Sequence, residues 1–143
     1  MEVRVFASAA VACVILLSLG LLHFYWALGG LYGKEGAIPS SSNGKAVLVP
    51  RPFVTAVVGV ALVAMAGLVA LAAGLLAAPT SPLLVKVPTG LLALVFFARG
   101  IGDFHYVGFF KSVKGSLFAI RDTYFYSPLC LALAAMIAVV AAN

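Results

Sequence analysis

Residues 83–110 read LLVKVPTGLLALVFFARGIGDFHYVGFF, and this stretch decides what kind of fold the chain adopts. Between Lys86 and Arg99 it offers only twelve uncharged residues, 87–98. A helix needs about 20 residues to cross the hydrocarbon core of a bilayer, so a span built from this stretch must carry charge near its ends. Charged side chains in a membrane segment usually face the protein interior and mark a functional site. Arg99 and the following Asp103 are therefore the first candidates for one.

The composition of the chain is that of a membrane protein. Of its 143 residues, 64% are hydrophobic and 9% are charged, and the mean hydropathy is +1.19, whereas soluble domains carry about 25% charged residues. The formal net charge of +5 comes from Lys and Arg at the ends of apolar stretches rather than on one basic face. We therefore expect membrane lipids as partners and no nucleic acid.

Four apolar stretches predict an all-α fold, an integral membrane four-helix bundle that residues 1–143 form as a single domain. The predicted spans are residues 5–27, 53–78, 84–106 and 124–142. Sequential helices are then antiparallel neighbours, and both termini lie on the same side. Residues 28–52 are predicted to form a polar loop with a turn at Ser42-Asn43-Gly44. Residues 107–123 are predicted to form a basic amphipathic segment lying at the headgroup level.

Prolines and small residues suggest how these helices end and pack. Pro79 is expected to end the second helix, and Pro128 requires the fourth helix either to kink or to restart with Ser127 as its cap. The second helix carries small residues that favour close approach of a neighbouring helix. They are Ala56, Gly59, Ala66, Gly67, Ala70, Gly74 and Ala77.

Lys and Arg counts predict the orientation in the membrane. Loops 28–52 and 107–123 together carry six of these residues, while the N-terminal tail and the second connection carry two, Arg4 and Lys86. Because positively charged loops stay on the cytoplasmic side, we expect both of these loops in the cytoplasm and both termini outside.

Most side chains that can do chemistry fall at the end of the bundle that carries loops 28–52 and 107–123. We therefore expect a polar pocket there that holds a lipid or another amphipathic or anionic molecule. The predicted ligand-binding residues are His23, Trp26, Arg99, Asp103, Tyr106, Asp122 and Tyr126.

The two carboxylates in this set, Asp103 and Asp122, also have a purely structural interpretation. Arg99, Asp103 and Tyr106 are spaced at i, i+4 and i+7, which is one face of a helix, so Arg99 is predicted to pair with Asp103. That pair could serve a site or only brace the bundle. Asp122 precedes the predicted fourth span, where a carboxylate is expected to cap the helix.

No motif assigns a catalytic residue. Cys13 and Cys130 form no CxxC pair and are expected to be inert buried thiols. His23 and His105 lack the spacing of a ligand set, so we expect no metal, haem or other cofactor.

Two other functions remain as alternatives. One is an integral membrane enzyme acting on a lipid or isoprenoid-like substrate, with His23 or His105 as the acid–base group and Asp103 orienting it. The other is a small transporter subunit that works as an oligomer, and the sequence leaves a homo-oligomer open.

Three blocks of the chain carry a resemblance to a known family. They are HFYWALGG at residues 23–30, RGIGDFHYVGFFK at residues 99–111 and FAIRDTYFYSPLCL at residues 118–131. They resemble a family of small four-span membrane proteins of bacteria, the domain of unknown function number 3995. The resemblance implies a four-span protein of the bacterial inner membrane, and it implies no reaction, substrate or catalytic residue.

Overall fold

The computed structural model describes residues 3–77 and 81–143, and within them the chain forms four long helices and no strand. The helices are α1 Val3–Ala27, α2 Pro52–Ala72, α3 Pro82–Ile101 and α4 Leu117–Ala142. Each is long and apolar enough to cross a membrane. The first loop, residues 28–51, joins α1 to α2, and the third loop, residues 102–116, joins α3 to α4. The prediction of an all-α bundle of four membrane helices is confirmed.

The bundle consists of two helical hairpins, α1–α2 and α3–α4, packed against each other through α1 with α4 and α2 with α3. At one end, the Lys86 ammonium near the start of α3 donates to the backbone carbonyl of Asn143, at 2.6 Å. At the other end, the Tyr126 hydroxyl of α4 donates to the carbonyl of Gly36 in the first loop, at 2.9 Å. The first and third loops therefore share one end, and both termini lie at the opposite end.

In α1, α2 and α4 the core residues are spaced three and four apart, which places them on one face of each helix, and α3 contributes an adjacent pair. The buried residues of this core are Val5, Ala9, Ala12 and Leu16 of α1, Leu62, Ala66 and Val69 of α2, Leu92 and Ala93 of α3, and Leu133, Ile137 and Val140 of α4. The outer faces carry exposed Val, Leu and Phe side chains. Such faces suit contact with lipid chains, which are as apolar as leucine.

Glycines let α1 and α2 approach closely. A Cβ at Gly59 would lie 2.9 Å from the ring of Phe24 and 3.2 Å from the carbonyl oxygen of Gly20. Farther along the same interface, the Cys13 thiol donates to the Ala66 carbonyl at 3.4 Å. The predicted packing role of small residues on α2 therefore holds at Gly59, whereas a Cβ at Gly67 would meet no atom within 4 Å.

Two helices end earlier than predicted, and a glycine follows each end. After α2, Gly74 adopts φ 69° and its N–H donates to the Leu71 carbonyl, so the helix stops at Ala72 rather than at residue 78. Pro79, the predicted stop, lies outside the described residues. After α3, Gly102 adopts φ 101°, a conformation that favours glycine. That helix stops at Ile101 rather than at Tyr106.

The fourth helix begins at Leu117 rather than at residue 124. The Ser116 hydroxyl caps it by accepting from the Ala119 N–H at 3.1 Å. Asp122–Tyr126 then form a wide π-helical turn, in which the Ser127 N–H donates to the Asp122 carbonyl five residues back. The chain passes Pro128 in helical conformation, so the alternative in which Ser127 caps a new helix is wrong.

The interior of the bundle also takes in part of the segment 107–123. Lys111 and Phe118 are both buried, with 4% and 3% of their surface exposed. The prediction that this whole segment lies on the surface is therefore wrong. Lys111 can be buried because its ammonium pairs with the buried carboxylate of Asp122.

The close approach of α1 and α2 should depend on the missing side chain at Gly59. We expect Gly59→Val to lower the free energy of unfolding by about 1–3 kcal/mol, because the new methyl groups would overlap Phe24 and the α1 backbone. Unfolding of the detergent-solubilised protein, followed by circular dichroism, measures this. Gly67→Val is the matched control, and an equal loss in both variants would contradict the packing argument.

Candidate functional site

Asp122 is the centre of a buried ionic cluster at the loop end of the bundle. Its side chain is fully buried, and the guanidinium of Arg99 donates to Oδ1 at 2.8 Å. The other oxygen, Oδ2, accepts from the Gly108 backbone N–H at 2.7 Å and from the Lys111 ammonium at 3.1 Å. A buried charge is tolerated only when its partners satisfy it, and here three donors from α3 and the third loop do so.

Lys111 is satisfied as completely as the carboxylate that it faces. Its ammonium donates to the Gly108 carbonyl at 2.8 Å and to the Thr123 hydroxyl at 2.6 Å, in addition to Asp122. These three acceptors match the three protons of an ammonium group. Lys111 is thus committed to the protein interior and ties the third loop to α4.

Arg99 differs from Lys111 because, in the part of the chain that the structure describes, only one of its two terminal guanidinium nitrogens has a hydrogen-bond partner. One nitrogen, Nη2, donates to Asp122, whereas the buried Nη1 has no hydrogen-bond partner among the described residues. About a third of the side chain, 34%, stays exposed. With Lys111 also present, the cluster of two cations and one carboxylate keeps a net positive charge, and Arg99 is where that charge reaches the surface.

Asp103 lies in the third loop and does not pair with Arg99, so the predicted Arg99–Asp103 pair is wrong. The physical reason is the end of α3 at Ile101, which removes Asp103 from the helical face of Arg99. Its Oδ1 instead accepts from three consecutive backbone N–H groups, those of residues 105–107, at 2.7–2.9 Å. Desolvation raises the pKa of the Asp103 carboxyl, but the hydrogen bonds from Val107, His105 and Tyr106 together outweigh it and hold that pKa below its usual value.

A cavity of about 700 Å³ lies beside this cluster, between the two hairpins. We call it the inter-hairpin cavity. It is lined by Leu19, Leu22, His23 and Trp26 of α1, Tyr32, Gly33 and Ala37 of the first loop, Arg99 of α3, and Phe118, Arg121, Phe125, Tyr126, Leu129 and Cys130 of α4. Its walls are mostly apolar and aromatic, and the two guanidinium groups supply its charge. This is the usual character of a small-molecule site.

The polar aromatic side chains of the cavity hold its loop wall in place. The Trp26 indole N–H donates to the Tyr32 carbonyl at 2.9 Å, and Tyr126 binds Gly36 as described. His23 places Nδ1 2.7 Å from the Leu19 carbonyl, so this nitrogen carries the proton. The first loop is thereby tied to α1 and to α4.

Arg121 projects from α4 over the first loop. A side chain added at Gly36 would collide with its guanidinium, so the two are packed together. Within residues 3–77 and 81–143, the side chain of Arg121 forms no ion pair and no hydrogen bond. Its charge is therefore uncompensated at the edge of the cavity.

The structure brings some of the predicted site residues together and separates others. Four line the inter-hairpin cavity, namely His23, Trp26, Arg99 and Tyr126. Asp122 contacts Arg99 from inside the protein, and it lies within the helix rather than capping it. Asp103 and Tyr106 belong to the third loop and are absent from the cavity wall.

Sequence reasoning missed the two basic residues with the most informative positions. From the sequence alone, Lys111 and Arg121 are only two of the positive charges counted in the predicted loop 107–123. The available signal was the FAIRD segment, 118–122, because an Asp next to an Arg at the start of a span must find partners. Cys130, expected to be an inert thiol, lines the cavity.

The His–Asp arrangement that an acid–base enzyme would require is not formed among the described residues. Asp103 accepts only from backbone N–H groups, and the ring of His105 lies 3.2 Å from the Ser112 hydroxyl. The part of the chain that the structure describes also contains no group of three His, Cys, Asp or Glu side chains placed to hold a metal ion.

The ionic cluster should dominate the stability of the loop end. Asp122→Asn leaves the Lys111 ammonium buried without its counter-charge, and we expect a loss of about 3–5 kcal/mol in the free energy of unfolding. Lys111→Met should also lower the free energy of unfolding. The double variant should lose clearly less than the sum of the two single losses, because the ammonium and the carboxylate that face each other are then both removed. Equilibrium unfolding in detergent measures all three variants, with Lys114→Met as the exposed control. Strict additivity would show that the two side chains act independently.

Acid should weaken the third loop through Asp103. Because the pKa of this carboxyl is lower in the folded protein than in the unfolded chain, its contribution is complete above about pH 4–5 and is lost as the pH falls through the folded-state pKa. We expect wild type to melt at a higher temperature than Asp103→Asn at neutral pH, and the gap to shrink below about pH 4. Melting curves of both proteins between pH 3 and pH 7 test this. A gap that stays constant would contradict it.

Comparison with known proteins identifies a family for the chain but no relative of known function. The chain matches the family model described as protein of unknown function (DUF3995) over residues 16–137. No curated protein and no solved structure matches it. The family match spans most of the chain, including α2, α3, both clustered cations and the inter-hairpin cavity. The four apolar helices indicate a membrane protein. The match over residues 16–137 shows that the chain belongs to the DUF3995 family.

Proposed function

We propose that this membrane protein binds an anionic amphipathic molecule, a lipid or a lipid-like compound, in the inter-hairpin cavity. The single observation that carries the proposal is the cavity wall itself. Two arginines, Arg99 and Arg121, stand on a surface that is otherwise largely apolar and aromatic. Such a wall suits a ligand with a negatively charged end and an apolar body.

The charge balance around the cavity favours an anion. Arg99, Lys111 and Arg121 supply three positive charges, and Asp122 supplies the one carboxylate that pairs with any of them in the described residues. Glu35 neighbours Gly36 in the chain, but it forms no ion pair within 4 Å there. Since charges interact strongly where water is scarce, an anion beside the two guanidiniums would be stabilised.

The size and lining of the cavity favour an amphiphile. A volume of about 700 Å³ lies within the range of about 300–1,000 Å³ that is typical of ligand sites. Leu19, Phe125 and Leu129 belong to membrane-spanning helices and line the same cavity as the arginines. The charged end of a ligand can therefore lie toward the loops while its apolar part follows the helices.

We also propose the plasma membrane of a bacterium as the location, with the first and third loops on the cytoplasmic side. The support is the distribution of Lys and Arg, six in the two predicted loops 28–52 and 107–123 and two at the opposite end. In this orientation the cavity would open near the inner leaflet, whose anionic lipids are the most abundant candidates.

Removal of the Arg121 charge tests the binding proposal. Wild-type protein in a non-ionic detergent should be stabilised against heat by dioleoyl-phosphatidylglycerol, and native mass spectrometry should detect the bound lipid. Arg121→Gln should weaken this binding by about 10- to 100-fold, because one charge-assisted contact is lost. Lys45→Gln removes the same charge from an exposed position of the first loop and should change little. A wild type that neither retains nor responds to the lipid would refute the proposal.

A further inference from the structure

We infer that the inter-hairpin cavity selects phospholipids by the net negative charge of the whole headgroup and discriminates little between headgroups of equal net charge. This inference rests on the proposed function and narrows it to a ligand class, the anionic phospholipids. The observation behind it is that three neutral hydrogen-bond donors of the cavity wall, on His23, Trp26 and Tyr126, already donate to backbone carbonyls of the protein.

Four neutral aromatic or imidazole side chains on the wall carry a proton that could be donated to a headgroup, and three of them donate it to the protein instead. The Trp26 indole donates to Tyr32, the Tyr126 hydroxyl to Gly36, and Nδ1 of His23 to Leu19, at 2.7–2.9 Å. Each of these groups has one proton to give in the neutral state. The hydroxyl of Tyr32 is the remaining neutral donor of this group, so the charged side-chain donors for a bound phosphate are the two guanidiniums.

The two guanidiniums are well suited to share one phosphate. Arg99 lines the cavity from α3, and Arg121 lines it from α4. An anion bound in the cavity is attracted by both positive charges. The phosphodiester of a lipid has two charged non-bridging oxygens, and arginine forks recognise such groups through paired hydrogen bonds.

Charge recognition of this kind is tolerant of the headgroup substituent. The neutral groups that remain for the substituent are few. They are the hydroxyl of Tyr32, the Tyr126 oxygen and, in a neutral imidazole, Nε2 of His23, and each adds only a neutral hydrogen bond to a hydroxyl or amine. We expect phosphatidylglycerol and phosphatidylserine, which carry the same net charge, to bind within about fivefold of each other. Zwitterionic phosphatidylcholine should bind at least about tenfold more weakly than either.

The chain carries its own reporter for the site. Cys130 lines the cavity beside Leu129, whereas Cys13 lies between α1 and α2 with its thiol on the Ala66 carbonyl. A ligand whose apolar part follows α4 should shield Cys130 from alkylation and leave Cys13 unaffected. Each thiol therefore serves as a control for the other.

The experiment measures N-ethylmaleimide alkylation of both cysteines in the full-length protein in dodecyl maltoside, by peptide mass, together with native mass spectrometry of lipid binding. The probes are dioleoyl-phosphatidylglycerol, -phosphatidylserine and -phosphatidylcholine, and inorganic phosphate. We expect the two anionic lipids to slow Cys130 alkylation at similar concentrations, and phosphatidylcholine and inorganic phosphate to leave it unchanged. Arg121→Lys should keep part of the protection, and Arg121→Gln should lose it.

The outcomes separate this inference from the proposed function. A difference of more than tenfold between phosphatidylglycerol and phosphatidylserine, or equal binding of phosphatidylcholine, would overturn charge selection while leaving a lipid site in place. Protection by inorganic phosphate alone would overturn the lipid class. If native mass spectrometry detects no bound lipid of any of the three classes, the cavity is not a lipid site and both proposals fail.

Discussion

The buried carboxylate of Asp122 is the constraint on which the loop end of this protein depends. It receives hydrogen bonds from α3 through Arg99 and from the third loop through Gly108 and Lys111. A carboxylate with no exposed surface would destabilise the fold strongly if it lacked such partners. The positions of the end of α3, the start of α4 and the loop between them are therefore coupled through one side chain.

The third loop is compact because two carboxylates organise its backbone. Asp103 collects three successive N–H groups at its beginning, and Asp122 collects a fourth at Gly108. Gly102 and Gly108 both adopt positive φ and lie in backbone contact with each other, where a side chain would collide. A loop held in this way can keep the Lys111 ammonium buried, and that burial in turn leaves the cluster with an excess positive charge.

The same cluster explains why a structural role and a binding role for Arg99 are compatible. One side of its guanidinium braces α3 against α4, and the side chain is still exposed enough to line the inter-hairpin cavity. Each hairpin is tightly packed within itself, whereas the two hairpins contact each other less extensively. The cavity lies at this looser junction, next to surfaces that suit lipid contact. An amphiphile from the surrounding bilayer is therefore the natural occupant to propose.

Hydropathy, helix length and small-residue spacing were enough to predict four helices, their antiparallel order and the end of the bundle at which the polar residues gather. These properties are local, because the bilayer thickness sets the length of a span and the helical repeat sets its buried face. Membership of His23, Trp26, Arg99 and Tyr126 in one cavity followed from the same reasoning. The partner of Arg99 could not be predicted in this way. The helix α3 ends at Ile101, where Gly102 adopts a positive φ, and Asp103 therefore lies in a loop. Only the tertiary structure decided that Asp122, 23 positions along the chain, takes that place, since ion-pair partners are chosen by packing in three dimensions rather than by spacing along one helix.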